Sequence, residues 1–235
     1  LLLQEEHKIR HLDHKNVAKF FGAVNIHSHQ IEDPKIAFVT EFCKANLRDI
    51  IFQDRSKIPA QALDTNEAIN WFLIWAMEIA DGLNYIHTIG LVHRHLKLYS
   101  ILVNSQGALK IADIGIVGRF LDTEQSIIYL APEVLAEPLV RKKEADIYSY
   151  GIMLWEMWYG TQAFTELMPL DKTTFQNHIA AGNRPVTSRR GIAHLEVVEI
   201  ITQCWSCDAV ERHSAVTCRE KFKEILEYRG VPVGS

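Results

Sequence analysis

Residues 91–100 read LVHRHLKLYS, two histidines, an arginine and a lysine among apolar residues. Before this stretch, eight apolar residues recur every three or four positions and predict a long, deeply packed helix: Ile69, Phe72, Leu73, Ala76, Ile79, Ala80, Leu83 and Ile86. A capping box at Asp64–Glu67 precedes them. After the stretch, Ile101–Val103 and Leu109–Ile111 predict short strands around a turn at Ser105–Gly107. The charged stretch is therefore a loop between a helix and a hairpin.

The rest of the chain has an α+β pattern. Leu2–Leu12 predicts a short helix, and Val17–Asn25 and Ile36–Phe42 predict a pair of antiparallel strands. Between Pro132 and Tyr228 the pattern is largely helical. Since strands come first and helices follow, we expect a small β part and a larger helical part that holds the core.

Composition excludes several classes of protein. The chain has 235 residues, 48% of them apolar, and a net charge of −4. This balance predicts one large or two small globular domains and lacks the basic excess of a nucleic-acid binder. No apolar run reaches the roughly 18 to 20 residues that cross a bilayer, so we expect no membrane span. Four unevenly spaced cysteines predict a reducing, cytoplasmic location and not a disulfide scaffold.

Several short motifs follow the charged loop in a fixed order. They are Asp113-Ile114-Gly115, Ala131-Pro132-Glu133, Asp146-Ile147-Tyr148-Ser149-Tyr150-Gly151, and Cys204-Trp205 with Asp208 and Arg212. Together with His93-Arg94-His95, their order and spacing resemble the catalytic, magnesium, substrate-anchoring and late-helix signatures of the protein kinase family. The resemblance covers essentially the whole chain. Residues 151–160 and 204–214 are most similar to the tyrosine-kinase-like and receptor-interacting branch.

The resemblance implies an α+β, protein kinase-like fold with two lobes. A small, partly truncated, β-rich N-lobe would span residues 1–43, with helix C, two strands and the hinge. A large helical C-lobe would span residues 44–229. The family's Gly-rich loop, strand lysine and first three strands have no counterpart in the sequence. Glu5 stands where the helix C glutamate pairs with that lysine, and therefore has no designated partner.

The resemblance also assigns the catalytic positions, and two of them have changed. His95 stands where the family has the aspartate base, and Ser100 stands where it has a metal-binding asparagine. Asp113 remains as the magnesium-loop carboxylate, and Lys97 as the residue that helps to neutralise the transferred phosphate. Arg94 would receive a phosphate on the activation segment, whose hydroxyls are Thr123, Ser126 and Tyr129. The alternative is that these are ordinary loop hydroxyls.

Further residues have binding or structural roles by the same resemblance. The nucleotide-binding positions would be Thr40, Glu41, Cys43 and Leu102. A regulatory column between the lobes would contain His93, Ile114, Ile9 and Phe20, anchored by Asp146. Asp146 should accept backbone hydrogen bonds from the turn at His93 and Arg94, and Glu133 should form a buried ion pair with Arg212.

The changed catalytic positions favour a pseudokinase that acts as a scaffold or allosteric partner. Its partners would be signalling kinases or adaptors, which the sequence does not identify. Two alternatives remain open: an active or weakly active ATP-dependent Ser/Thr kinase with His95 as base, and a nucleotide-sensing module. We expect no obligatory cofactor and at most weak binding of ATP and Mg²⁺, because one carboxylate beside a serine is a poor Mg²⁺ site.

Two clusters invite a metal-site interpretation. Cys204-x-x-Cys207 with His213 and Cys218 has zinc-binding residue types, but only one cysteine pair has the right spacing. Cys204 also fits an apolar helix position in the kinase pattern, which favours a core role. His7 and His11 lie four apart on the first helix, where a solvated face is favoured over a ligand pair.

Overall fold

The N-terminal part combines a helical turn with a two-stranded sheet. The computed structural model describes residues 7–26, 35–53, 66–115, 124–138, 142–167, 171–187 and 195–232. Residues 7–10 form helix α1. β1 (Phe20–Ile26) pairs with β2 (Lys35–Thr40) in antiparallel register, which confirms the predicted strand pair. β1 begins later than predicted because Val17 forms an isolated parallel bridge with Ile111.

A second, three-stranded sheet lies next to the charged loop. Its strands are β3 (Ala45–Asn46), β4 (Ile101–Val103) and β5 (Leu109–Ile111), in the order β3-β4-β5. Both pairs are antiparallel, with Ile101 opposite Ile111. The β4–β5 hairpin has the predicted bounds, so the charged loop enters the hairpin directly.

Helices account for most of the described chain outside the two sheets. They are α2 (Leu47–Phe52), α3 (Asn66–Thr88), α4 (Glu124–Ile127), α5 (Pro132–Ala136), α6 (Lys143–Tyr159), α7 (Lys172–Ala180), α8 (Leu195–Cys204) and α9 (Ala215–Tyr228). Side-chain oxygens of Asn46, Asp171 and Ser214 accept backbone N–H groups at the starts of α2, α7 and α9. Gly160 ends α6 in the left-handed conformation that glycine adopts without strain.

The core lies between α3 and α6. Every residue of α6 from Asp146 to Trp158 is buried, and α3 packs against α9. Phe72 of α3 contacts the edge of Trp158 at a ring separation of 4.6 Å, and the Tyr150 hydroxyl donates to the Ala76 carbonyl at 2.7 Å. The predicted α+β class is confirmed, with a small sheet-containing N-lobe and a helical C-lobe.

A close backbone approach fixes the loop after α1 onto α3. A Cβ added at Gly82 would lie 2.7 Å from the Asn16 carbonyl oxygen and 2.8 Å from Ile111 Cδ1. Asn16 bridges onward, because its carbonyl accepts the Ile111 N–H at 2.9 Å and its amide donates to the Leu109 carbonyl at 3.0 Å. The N-lobe is therefore tied to both α3 and the hairpin that follows the charged loop.

Candidate functional site

The charged loop is anchored by a buried carboxylate in the first turn of α6. Asp146 accepts the backbone N–H groups of His93 and Arg94, both at 2.8 Å. The His87 Nε2 atom lies 2.9 Å from Asp146 Oδ2. Both predicted backbone bonds are present. They hold the turn at Arg94, whose φ of 75° is unusual for a non-glycine residue.

The ring of His93 links the loop to the end of β5. Its Nε2 atom lies 2.8 Å from the Ala112 carbonyl, and its Nδ1 accepts the His95 N–H at 3.3 Å. An Nε2–H tautomer satisfies both contacts. Burial lowers the pKa of His93, although the neighbouring Asp146 charge opposes this. His93 is therefore a neutral residue that connects the charged loop to the segment after β5.

His95, at the predicted base position, is a neutral imidazole. Burial, and then the neighbouring Lys97 and His93 side chains, lower its pKa to about 4. Its Nε2 atom is buried and has no hydrogen-bond partner in the described part of the chain. Neutral imidazole at pH 7 carries no negative charge, so it cannot attract a cation as the family's aspartate does.

The Ser100 side chain forms hydrogen bonds within its own loop. Its side chain is buried, and its Oγ accepts the Lys97 N–H at 3.0 Å and donates to the Lys97 carbonyl at 2.8 Å. Both contacts stabilise the turn that leads into β4. The hydroxyl at the position of the family's second metal ligand is thus already used inside the protein.

Asp113 lies close enough to Lys97 for its charge to act on the lysine. Asp113 is exposed and has a φ of 62°. Burial lowers the pKa of Lys97, while the Asp113 charge raises it. Lys97 Nζ donates to Ser126 Oγ at 3.0 Å, so the lysine also contacts a buried serine of α4. The sequence did not predict this contact, because it depends on the path of the activation segment.

The predicted hinge follows β2 as a short, polar connection. Thr40 is exposed at the strand end, Glu41 and Cys43 are half-buried, and Leu102 is half-buried on β4. The Glu41 carboxylate lies 3.1 Å from Lys110 Nζ and accepts the Lys19 N–H at 3.2 Å. These contacts position the segment, and its adenine-binding role stays a prediction.

The regulatory column stays a prediction as a unit. Ile114 is buried, and Ile9 is partly buried against the core. Phe20 lies on β1, with its ring 6.0 Å from that of Phe38. Glu5 lies outside the described residues.

The predicted ion pair is present, with the Arg212 side chain buried and Glu133 half-buried. Arg212 donates through Nη1 and Nη2 to the two carboxylate oxygens of Glu133 at 2.7 and 2.9 Å. The guanidinium also donates to the carbonyls of Ser206 and Glu144 and lies over the Tyr148 ring. Burial would raise the pKa of Glu133, but the Arg212 hydrogen bonds and charge hold it below its usual range.

A second buried carboxylate was missed. Glu156, near the end of α6, accepts the Tyr129 hydroxyl at 2.5 Å and the Ala163 N–H at 3.0 Å. Burial raises its pKa to about 7 despite these bonds. The signal in the sequence was a lone glutamate within the apolar run of residues 151–160. This residue links the end of the activation segment to the loop after α6.

Neither a metal cluster nor a membrane span is found in the described part of the chain. No group of three His, Cys, Asp or Glu side chains could hold a metal ion among the described residues. In the same residues, no helix combines the length and apolar character needed to cross a bilayer. His7 on α1 and His11 in the turn directly after it are both exposed.

Comparison with known proteins agrees with this geometry. Residues 1–222 match the family model described as protein tyrosine and serine/threonine kinase. The chain is 28% identical over 233 residues to the Arabidopsis thaliana serine/threonine-protein kinase STY17, covering 95% of this chain and 36% of that protein. It is 31% identical over 240 residues to the probable serine/threonine-protein kinase drkC of Dictyostelium discoideum, covering 96% and 28%. The chain thus spans only about a third of the length of these relatives.

Proposed function

Because the chain belongs to the protein tyrosine and serine/threonine kinase family, we propose that it is a kinase domain with little or no phosphotransferase activity that acts through contacts with signalling proteins. The observation that carries the proposal is the Ser100 side chain. Its hydroxyl bonds to both backbone groups of Lys97 and is buried, so it does not offer a metal ligand.

The residues present fit a magnesium–nucleotide complex poorly. Kinase chemistry depends on positioning and on charge, with Mg²⁺ held by an amide, a carboxylate and the nucleotide phosphates. Here Asp113 is the one carboxylate among the family's metal and base positions, since His95 is neutral and Ser100 is engaged. Loss of a general base alone costs about 10²- to 10⁴-fold in rate. A lost metal ligand adds to this cost.

The residues that stabilise the fold are of the types that the kinase family has at these positions. Asp146 still anchors the charged loop, and Glu133 and Arg212 still form a bidentate pair. A domain that keeps its framework while losing its catalytic groups supports a role as a scaffold or allosteric partner. We propose signalling kinases or adaptors as the partners, within the receptor-interacting-type branch. Four free cysteines support a cytoplasmic location.

The test is a radiolabelled phosphate-transfer assay with ATP and Mg²⁺ on a generic protein substrate. We expect no transfer above that of the Asp113→Asn variant, because the parent chain already lacks a complete metal site. A thermal-shift titration with ATP, with and without Mg²⁺, should show little stabilisation. Strong transfer by the parent chain that Asp113→Asn abolishes would overturn the proposal, and strong ATP stabilisation without transfer would favour a nucleotide-sensing module.

One observation favours the second candidate, a weakly active kinase. The buried Nε2 of His95 has no partner in the described residues, and a neutral imidazole can accept a proton from a substrate hydroxyl. If residual transfer is found, the His95→Gln variant separates the two proposals. Loss of that transfer in His95→Gln supports His95 as base, whereas unchanged transfer excludes this role.

A further inference from the structure

Two cysteine thiols meet in the core, away from the site described above. Cys204 is the last residue of α8 and Cys218 lies in the first turns of α9, and their Sγ atoms are 3.5 Å apart. Both residues are fully buried, and all four cysteines are free thiols. Neither the ion pair of Arg212 nor the anchored loop uses this contact.

The two sulfurs are in contact but are not bonded. A disulfide needs its sulfurs about 2.0 Å apart, so the two Sγ atoms must approach by about 1.5 Å. Rotation about χ1 moves each sulfur without moving the backbone. The helix end at Cys204 is closely packed, because a Cβ added at Gly151 of α6 would lie 2.8 Å from Cys204 Cβ. The Cys204 backbone is therefore held in place by its close packing against α6.

We propose that Cys204 and Cys218 form a redox-active dithiol, which hydrogen peroxide converts to a disulfide that ties α8 to α9. One sulfur attacks a peroxide oxygen, and the O–O bond breaks. That cysteine becomes a sulfenic acid, and the other peroxide oxygen departs as water with the thiol proton. The second sulfur attacks the sulfenic sulfur, so that the S–S bond forms as the S–O bond breaks. The departing hydroxide takes the second thiol proton as water. Two thiols and one peroxide thus give one disulfide and two waters.

The surroundings make this pair slow to react. The hydrogen bond with Cys218, together with burial, raises the pKa of Cys204, so the reactive thiolate forms only through local opening. Cys207, in contrast, is exposed, with its Sγ 3.4 Å from Arg184 Nη2. Cys207 therefore reacts first, and the buried pair responds to sustained oxidation. In a reducing compartment the pair rests as two thiols.

The experiment uses the native chain treated with hydrogen peroxide. Remaining thiols are alkylated under denaturing conditions, and the protein is digested with trypsin without reduction. Cleavage after Arg190, Arg212 and Arg219 puts Cys204 in residues 191–212 and Cys218 in residues 213–219. We expect these two peptides to be crosslinked in the parent chain and to separate after treatment with a thiol reductant.

Two variants assign the crosslink. Because Cys207 shares the first peptide with Cys204, the Cys207→Ser variant must keep the crosslink, whereas the Cys218→Ala variant must lose it. The oxidised parent and Cys207→Ser should gain about 5 °C or more in melting temperature, since the bond restricts the unfolded chain. The oxidised Cys218→Ala variant should gain nothing.

Three results would overturn the inference. The first is full oxidation of Cys207 while Cys204 and Cys218 both carry the alkyl group. The second is a crosslink that disappears in Cys207→Ser, because it would then join Cys207 to Cys218. The third is a crosslink that forms without any rise in melting temperature, which would show that it does not stabilise the contact between α8 and α9.

Discussion

At the residue scale, burial decides what the ionisable groups of this domain do. His95 is neutral because burial and the neighbouring Lys97 and His93 side chains lower its pKa to about 4. Glu156 shows the opposite effect, since burial raises its carboxyl pKa from 4.5 to about 7. In both cases the uncharged form is favoured, because a buried charge loses its hydration. The two groups therefore respond to pH differently from the same residues on a surface.

We expect the Glu156 carboxyl to make the domain less stable as pH rises from about 4.5 to about 7. In this range the folded protein binds more protons than the unfolded chain, whose glutamates have already ionised. Stability is therefore fully present below pH 4.5 and is lost as pH rises through the folded pKa. Chemical denaturation at several pH values should show this slope in the parent chain and a flatter profile in Glu156→Gln.

The control for that slope is Tyr129→Phe. It removes the hydroxyl that hydrogen-bonds Glu156 and lowers its pKa, but it keeps the buried carboxyl. The slope should persist in Tyr129→Phe and extend to higher pH. Equal slopes in the parent chain and Glu156→Gln would show that other groups cause the pH dependence.

At the element scale, a single ion pair joins α5 to the segment after α8. The Arg212 side chain is fully buried, whereas the Glu133 side chain is 24% exposed. Glu133→Gln would leave the guanidinium without its counter-charge, although the carbonyls of Ser206 and Glu144 still accept from it. Removing one partner of a buried pair costs about 3 to 5 kcal/mol. Urea unfolding should show a loss in this range.

The matched control for this pair is Glu144→Gln. Arg212 contacts the backbone carbonyl of Glu144 and so does not depend on its carboxylate. We expect this variant to change the free energy of unfolding by less than about 0.5 kcal/mol. Similar losses in both variants would mean that the charge of the region matters, and not the bidentate pair.

A second prediction at this scale concerns α3. Gly82→Ala adds a Cβ that meets the Asn16 carbonyl at 2.7 Å, too close for a backbone atom to tolerate. Better helix propensity offers at most about 1 kcal/mol, while overpacking costs about 1 to 3 kcal/mol. We therefore expect net destabilisation in urea unfolding. Asn84→Ala, two residues along the same helix, is the control and should be nearly neutral. A stabilised Gly82→Ala variant would contradict the observed closeness of the N-lobe loop and α3.

The elements themselves could be predicted from local patterns. The period of α3, the β4–β5 hairpin and the β1–β2 pair were all expected, because each depends on residues close in the chain. The contact of Lys97 with Ser126 and the bond from Tyr129 to Glu156 were missed, since they join segments 29 and 27 residues apart. The inward turn of Ser100 is local, but residue type alone does not show which way a hydroxyl points.

At the scale of the whole molecule, the candidate site is built from parts that lie far apart in the chain. The charged loop, the end of β5 and the activation segment meet through His93, Lys97 and Asp113. Family motifs predicted the positions in this assembly, whereas burial and hydrogen bonding determined the state of each group. Restoring single residues therefore tests whether the proposed defect is confined to the loop or spread over the domain.

We expect the double variant His95→Asp, Ser100→Asn to remain inactive in this 235-residue chain. It restores the family's base and one metal ligand, but the chain contains no G-x-G-x-x-G stretch to clamp phosphates. Orientation supplies about 7 to 11 kcal/mol in well-positioned reactions, which two side chains do not replace. Asparagine must also fit where the serine is fully buried and bonded to Lys97. Radiolabelled phosphate transfer by the double variant should equal that of the parent, with circular dichroism as the check on folding. Strong transfer by the folded double variant alone would show that the charged loop was the only defect.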